Sequence, residues 1–183
     1  MPEMHTTAAL QDNDRRHVWH PFTQQRSWCE QEPPLVIDRA HGTNLYDADG
    51  NAYIDGVSSL WCNVHGHRHP AIDAAIQAQL GRVAHSTLLG LTHEPAVELA
   101  EKLIAIAPRE LTRVFYSDSG SAAVEVALKM AFQFWAERRE PDRTGFICLE
   151  NAYHGDTLGA VSVGAIEQFH ALYRPLLFGT LTA

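Results

Sequence analysis

Basic residues are scarce in this sequence. Lysine and arginine together number 14, against 22 aspartates and glutamates, and the formal net charge is −8 at pH 7. Lysines and arginines form no block, whereas proteins that bind nucleic acid or anionic membranes carry clusters of them. We therefore expect a small-molecule ligand, and neither a nucleic acid nor a membrane as partner.

Cysteine is rare as well. Cys29, Cys62 and Cys148 lie far apart and form no CxxC pair, which argues against a disulfide framework and against a zinc site built on thiolates. The N-terminal residues lack the apolar run of a secretory signal, and no stretch approaches the roughly 20 apolar residues of a membrane span. The sequence thus predicts a soluble, cytoplasmic protein.

Histidine is more frequent, but its pattern does not favour a metal site. His65, His67 and His69 alternate, so on a strand they would project from one face as candidate ligands. Gly66 and Pro70 favour a loop instead, and no carboxylate or cysteine nearby completes a ligand set. We predict that the protein holds no metal.

The N-terminal third contains a pattern of short strands. Residues 35–59 alternate the half-apolar runs LVID, NLYD and AYIDG with turns rich in aspartate and glycine, which predicts a strand meander. We predict that residues 1–70 belong to a small α+β lobe. Residues 71–183 would then form the first part of a larger cofactor-binding domain that is incomplete at its C-terminal end.

Apolar residues recur every three or four positions beyond the meander. One helix is predicted to open at Pro70 and to end near Gly81, and a second to open at Glu94 and to end before Pro108.

The centre of the chain has the pattern strand, loop, helix, strand. Residues 113–116 are predicted to be a buried strand, a long helix is predicted from Ser121, and residues 146–149 form a second apolar run. A further short helix is predicted with Thr157 as its cap. Two strands joined by a helix of this length indicate a βαβ crossover, and so an α/β fold with a mostly parallel sheet covered by helices.

The loop before the long helix has the composition of an anion site. Ser119, Gly120 and Ser121 lie where a strand passes into a helix, so the free N–H groups and the dipole of the helix favour a phosphate there. The two hydroxyls add donors, and Gly120 allows close approach. Neither GxxxxGK[ST] nor GxGxxG is present. The alternative is that Ser119 only caps the helix and Gly120 only turns the chain.

An aromatic loop follows the next predicted strand. Carboxyl ends of neighbouring parallel strands face one crevice, which would place Tyr153 beside the phosphate loop, where its ring can stack on a flat heterocycle. The alternative is a tyrosine packed in the core. A phosphate loop and a stacking aromatic together favour a planar ring bearing one phosphate, and pyridoxal phosphate is such a ligand.

At these residues the sequence resembles the class III aminotransferases of the fold-type I group. The resemblance covers nearly the whole chain, and its motifs are HVWHPFT at 17–23, DGVSS at 55–59, Trp61, HGH at 65–67, HST at 85–87, DSGSAAVEVALKMA at 118–131 and YHGDTLGAVSVG at 153–164. The WHPF opening narrows it to the branch that acts in biotin biosynthesis. It implies that Gly120 and Ser121 hold the phosphate of pyridoxal phosphate. It also implies that Tyr153 stacks on the ring and reaches toward the substrate.

The resemblance further implies a substrate pocket for an amino donor and a keto acid. Phe22 and Leu60 would line it, with Trp61 beside Leu60 as a further candidate wall. Both Phe22 and Leu60 depart from the form that takes its amino group from S-adenosylmethionine, and HPFT, SSLW, NVHGHRH and AHSTLLG instead look like the form that uses lysine. The donor stays open between the two.

A transaminase also needs a lysine for the Schiff base with its cofactor. The only lysines are Lys102 and Lys129, and both fall on the charged positions of predicted amphipathic helices. The catalytic lysine is therefore expected beyond Ala183, and the segment by itself is expected to be inactive. The family implies a homodimer with shared active sites. Two other functions stay open: another class III ω-aminotransferase, acting on ornithine, 4-aminobutyrate or a similar amine, and a phosphate-binding module without catalysis.

Overall fold

Two compact units make up the chain, Met1–Leu91 and Thr92–Ala183. The computed structural model describes residues 6–30, 33–164 and 166–183. The boundary predicted at residue 70 separates two lobes of a complete enzyme, whereas the boundary after Leu91 separates two compact units of this chain. The lobe boundary at residue 70 therefore stays a prediction.

The first unit contains the predicted meander. Its strands pair antiparallel in the order β1-β2-β3, and their bounds are β1 Ile37–His41, β2 Asn44–Asp47 and β3 Ala52–Ile54. The register places Ala40 opposite Leu45, and Leu45 opposite Tyr53. The β2–β3 turn needs a residue with positive φ, and Gly50 supplies it at +90° without steric cost.

The carboxylate of Asp47 organises the β2–β3 turn. One oxygen accepts hydrogen bonds from the N–H groups of Asn51 at 2.8 Å and Asp49 at 3.0 Å, and the other accepts from the Tyr53 hydroxyl and the Asn51 side chain at 2.9 Å each. These bonds, led by that of the Asn51 side chain, lower the pKa of Asp47 below its ordinary value. The ionised carboxylate therefore stabilises the folded meander.

Acid is expected to remove this stabilisation. The unfolded state binds the Asp47 proton at a higher pH than the native state does, so stability falls with pH once the pH drops below about 4. Urea unfolding of the full-length polypeptide at pH 7 and at pH 3 measures the effect. The advantage of the wild type over Asp47→Asn should shrink at the lower pH, and a constant difference would contradict the assignment. Asp38→Asn, at an exposed aspartate of β1, is the matched control.

The remaining elements of the first unit are helical. They are α1 Thr7–His17, α2 Gln25–Glu30, the four-residue turn α3 Ser58–Trp61 and α4 Pro70–Leu80. The helix predicted from Pro70 to about Gly81 is confirmed, with Pro70 in its first turn and Gly81 as its C-terminal cap. By contrast, α1 and α2 lack the apolar periodicity that would have predicted them.

The second unit consists of helices and one short parallel strand pair. Its elements are α5 Glu94–Ile106, α6 Gly120–Glu137, β4 Ile147–Cys148, α7 Leu158–Ser162, α8 Glu167–His170, a 3₁₀ helix Ala171–Leu176 and β5 Leu181–Thr182. The two long helices confirm the predictions made from their periodicity and caps. The strands β4 and β5 pair in parallel, and the most buried apolar residues lie in and next to α7 and β4: Cys148, Ala160, Val161 and Val163.

The strand predicted at 113–116 is wrong, and so is the crossover drawn from it to 146–149. The segment is unpaired among the described residues, and Phe115 is 65% exposed. The hydroxyl of Tyr116 instead donates to the Ala96 carbonyl at 2.6 Å. An extended segment becomes a strand only when a neighbour supplies a hydrogen-bond ladder, and β4 pairs with β5 rather than with this segment.

Candidate active site

The phosphate loop predicted from the sequence forms the amino end of α6. Ser119 is the N-cap, because its hydroxyl oxygen accepts from the Ala122 N–H at 3.1 Å and its carbonyl accepts from the Ala123 N–H at 3.0 Å. The N–H groups of Gly120 and Ser121 have no partner among the described residues. Ser119 thus does cap the helix, while two donors at the positive end of an 18-residue helix stay available.

Gly120 leaves space above these donors. A methyl group at its Cα would meet no other atom within 4 Å. An anion can therefore approach the backbone at this point without displacing a side chain.

The aromatic loop, residues 153–156, lies against the first turn of α6. The Asp156 N–H donates to the hydroxyl oxygen of Ser121 at 3.2 Å. Gly155 has φ +115°, and a methyl group there would lie 2.7 Å from the Cβ of Ser121, so only glycine fits both the backbone angle and the space. The two segments predicted to bind the cofactor are thus brought into direct contact, although the strand expected at 113–116 does not form and only β4 precedes the aromatic loop as a strand.

Glu125 forms a second contact one turn further along α6. Its carboxylate accepts from the Gly159 N–H at 2.8 Å, and the Thr157 hydroxyl and the Ala160 N–H lie near enough to stabilise its charge. These groups, led by the Thr157 hydroxyl, lower the pKa of Glu125. Thr157 does precede α7, as predicted, but its side chain makes no capping bond to that helix. The carboxylate of Glu125, which belongs to α6, accepts a hydrogen bond at the start of α7 in place of a Thr157 cap.

Tyr153 lies on the solvent-exposed side of the aromatic loop. Its side chain is 51% exposed, and its hydroxyl donates to a carboxylate oxygen of Asp156 at 2.8 Å. That bond raises the pKa of Tyr153, so the phenol keeps its proton. The ring is nearly parallel to that of His170, with centroids 6.5 Å apart and an angle of 18° between the planes. The alternative of a tyrosine packed in the core is wrong, because half of the side chain is accessible.

Three of the four predicted substrate residues share an unusual backbone conformation in the first unit. Phe22, Leu60 and Trp61 have φ values of 51°, 60° and 68°, and their exposures are 91%, 63% and 76%. A left-handed helical conformation costs a non-glycine residue about 1–2 kcal/mol. Such strain is concentrated at functional sites, which supports a role for these positions.

The lysines and histidines lie as follows. Lys102 and Lys129 are exposed on α5 and α6, as predicted. His67 Nε2 lies 2.8 Å from a carboxylate oxygen of Asp55, a pairing that the sequence analysis missed. Across the described ranges, no group of three histidine, cysteine, aspartate or glutamate side chains is arranged to hold a metal ion.

Three residues of the candidate site escaped the sequence analysis, namely Gly155, Asp156 and Glu125. The spacing of Ser121 and Glu125 was a usable signal, because residues four apart lie on one face of a helix. Both contact the same segment, through partners three residues apart, Asp156 and Gly159.

Comparison with known proteins gives the family. The model of the family described as Aminotransferase class-III matches residues 27–182. The chain belongs to the class III aminotransferase family. It is 61% identical over 179 residues to the adenosylmethionine-8-amino-7-oxononanoate aminotransferase of Nitratidesulfovibrio vulgaris, covering 97% of this chain and 33% of that protein. It is 54% identical over 183 residues to the enzyme of the same name from Geobacter sulfurreducens, covering 100% of this chain and 40% of that protein. The class III chain therefore spans about a third to two fifths of these curated relatives.

Solved structures agree with this family. The adenosylmethionine-8-amino-7-oxononanoate aminotransferase of Methanocaldococcus jannaschii matches with a TM-score of 0.91 and 46% identity, over 97% of this chain and 40% of that one. An amine transaminase from an uncultivated Pseudomonas species, solved in its PLP-bound form, matches with a TM-score of 0.79 and 39% identity, over 91% of this chain and 38% of that one. The α/β, fold-type I class is confirmed.

In the described part of this class III chain, no helix is both long enough and apolar enough to cross a membrane.

Proposed function

We propose that this chain is the N-terminal, phosphate-binding part of a pyridoxal-phosphate-dependent aminotransferase. The enzyme would transfer an amino group to the ketone of 8-amino-7-oxononanoate and so form 7,8-diaminononanoate in biotin biosynthesis. The observation that carries the proposal is the contact between Ser121 and the aromatic loop, since it joins a helix amino end to a half-exposed tyrosine in one compact unit. The names of the relatives, at 54–61% identity, support this acceptor.

The donors at the start of α6 fit a phosphate monoester. Gly120 and Ser121 offer two unpaired N–H groups, and the Ser121 hydroxyl can still donate its proton while its oxygen accepts from Asp156. The Ser119 oxygen serves the helix cap, which leaves its proton for the anion. We assign Gly120, Ser121 and Ser119 to the phosphate.

Tyr153 is assigned to the flat ring and to the substrate beside it. Its hydroxyl is fixed by Asp156 at 2.8 Å, which sets the direction of the aromatic face. When bound, pyridoxal phosphate acts as the electron sink that permits an amine and a ketone to exchange their nitrogen. The residues of this chain contribute binding and orientation, and the lysine that the chemistry needs is proposed to follow Ala183.

The substrate pocket is proposed to use Phe22, Leu60 and Trp61. Their exposed apolar side chains suit the aliphatic chain of the keto acid. The relatives' names favour S-adenosylmethionine as donor, whereas Phe22 and Leu60 favour lysine. We also propose a cytoplasmic homodimer whose subunits share their active sites.

Assays that combine the keto acid with each of the two candidate amino donors test the function. The full-length polypeptide is saturated with pyridoxal phosphate and mixed with 8-amino-7-oxononanoate and either S-adenosylmethionine or lysine, and 7,8-diaminononanoate is quantified by mass spectrometry. We expect product with one donor, and discharge of the visible band of the cofactor by that donor alone.

Two other results would each contradict the proposal. Transfer to 4-aminobutyrate or ornithine partners without transfer to the keto acid would indicate another class III ω-aminotransferase. Absence of a visible cofactor band would indicate a phosphate-binding module without catalysis.

A further inference from the structure

The turn α3 is a left-handed helical turn made entirely of residues other than glycine. Ser58, Ser59, Leu60 and Trp61 have φ values of 51°, 48°, 60° and 68°. Its backbone bonds run from the Trp61 N–H to the Val57 carbonyl at 2.8 Å, and from the Cys62 N–H to the Ser58 carbonyl at 3.0 Å. L-residues other than glycine visit this region as single residues and rarely in succession. Contacts outside the turn must therefore hold it in this form.

Asp55 supplies those contacts. One carboxylate oxygen accepts from the Ser59 N–H at 2.8 Å, and the other accepts from the Ser59 hydroxyl at 2.8 Å and lies 2.8 Å from His67 Nε2. The Asp55 side chain is only 5% exposed, so little solvent competes for its oxygens. The bond from the Ser59 N–H, followed by that from His67, lowers the pKa of Asp55. An ionised, shielded carboxylate thus bridges the strained turn and the imidazole.

His67 is in turn fixed to the meander. Its N–H donates to the Gly42 carbonyl at 2.8 Å, and the Gly42 N–H donates to the His67 carbonyl at 3.0 Å. Gly66 lies so close that a methyl group there would be 2.9 Å from the Gly42 carbonyl oxygen. The strained turn is therefore anchored, through Asp55 and His67, to the tight turn between β1 and β2.

We infer that Asp55 and His67 are positioning residues for the substrate, because together they hold α3 left-handed and so present Leu60 and Trp61 as an apolar wall. This inference rests on the proposed function, in which Leu60 and Trp61 line the substrate pocket. A relaxed turn would return these residues to negative φ and carry their side chains elsewhere. The pair acts through the backbone and does not itself touch the substrate.

The test combines a kinetic and a spectroscopic measurement on the full-length polypeptide. Asp55→Ala removes the bridge, and Asp55→Asn keeps an acceptor for the Ser59 N–H. Ser58→Gly, added to Asp55→Ala, restores preference for the left-handed form, because glycine adopts positive φ without steric cost. Asp38→Ala, at an exposed aspartate of the same unit, is the matched control. 5-Fluorotryptophan labelling reports on Trp61, and Trp61→Phe assigns its resonance.

We expect Asp55→Ala to shift or broaden the Trp61 fluorine resonance and to raise KM for the keto acid about tenfold or more, with a smaller change in kcat and an unchanged cofactor band. Asp55→Asn should have a smaller effect on both readouts. Ser58→Gly should restore most of the resonance and of KM, a rescue that general destabilisation would not give. Asp38→Ala should match the wild type.

An unchanged Trp61 resonance in Asp55→Ala, or a shifted resonance with an unchanged KM, would overturn the inference. If Asp55→Ala does not fold, the same criteria apply to Asp55→Asn. If the wild type transaminates no acceptor, the proposed function is wrong, and the Asp55–His67 restraint on α3 is then judged by the fluorine resonance alone.

Discussion

Gly155→Ala is expected to uncouple the phosphate loop from the aromatic loop. The added methyl group would lie 2.7 Å from the Cβ of Ser121, on a backbone with φ +115°. Backbone strain and overlap each cost about 1–3 kcal/mol, so the free energy of unfolding should fall by about 3 kcal/mol. The bond from the Asp156 N–H to Ser121 should be lost, and the dissociation constant for pyridoxal phosphate should rise at least about tenfold, the equivalent of about 1.4 kcal/mol.

Absorbance titration with the cofactor and thermal unfolding of the full-length polypeptide measure these two effects. Gly145→Ala is a matched control, because a methyl group there meets nothing within 4 Å and Gly145 is not among the glycines with positive φ. Wild-type affinity and stability in Gly155→Ala would show that the two loops do not pack as described.

Glu125→Ala is expected to release α7 from α6. The Gly159 N–H would lose its acceptor, and the Thr157 hydroxyl and the Ala160 N–H would lose the charge beside them. Gly159 is buried in α7, and a buried donor left unsatisfied costs about 1–3 kcal/mol. We expect the free energy of unfolding to fall by about 2 kcal/mol, and the amide protons of Gly159 and Ala160 to exchange faster with solvent.

Glu125→Gln separates the role of the charge from that of the acceptor. The amide keeps one oxygen for an N–H, so its effect should lie between those of the wild type and Glu125→Ala. Glu101→Ala, at an exposed glutamate of α5, should leave both stability and hydrogen exchange unchanged. Equal exchange rates at Gly159 in Glu125→Ala and in the wild type would refute the capping role.

Local signals account for the elements that the sequence predicted correctly. The meander has aspartate and glycine at its turns, α4 and α5 begin with proline in the first turn, and α6 begins after a serine cap. Each of these signals lies within a few residues of the element it defines. The predicted phosphate loop was recognisable for the same reason, because a helix amino end and its cap are local.

The strand wrongly predicted at 113–116 shows that local signals do not predict strand pairing. An apolar run gives the tendency to extend, but a strand also requires a partner, which is a property of the rest of the sheet. The left-handed form of α3 was invisible for a similar reason. Serine, leucine and tryptophan have no preference for positive φ, so the conformation comes from Asp55 and His67, and the sequence does not indicate that their side chains meet.

The contact between the two halves of the candidate cofactor site spans 34 or 35 residues, from Ser121 to Asp156 and from Glu125 to Gly159. Closing a loop of this length costs little more entropy than closing one half as long. On the ribosome, the pairing is therefore expected to form soon after residue 160 leaves the exit tunnel.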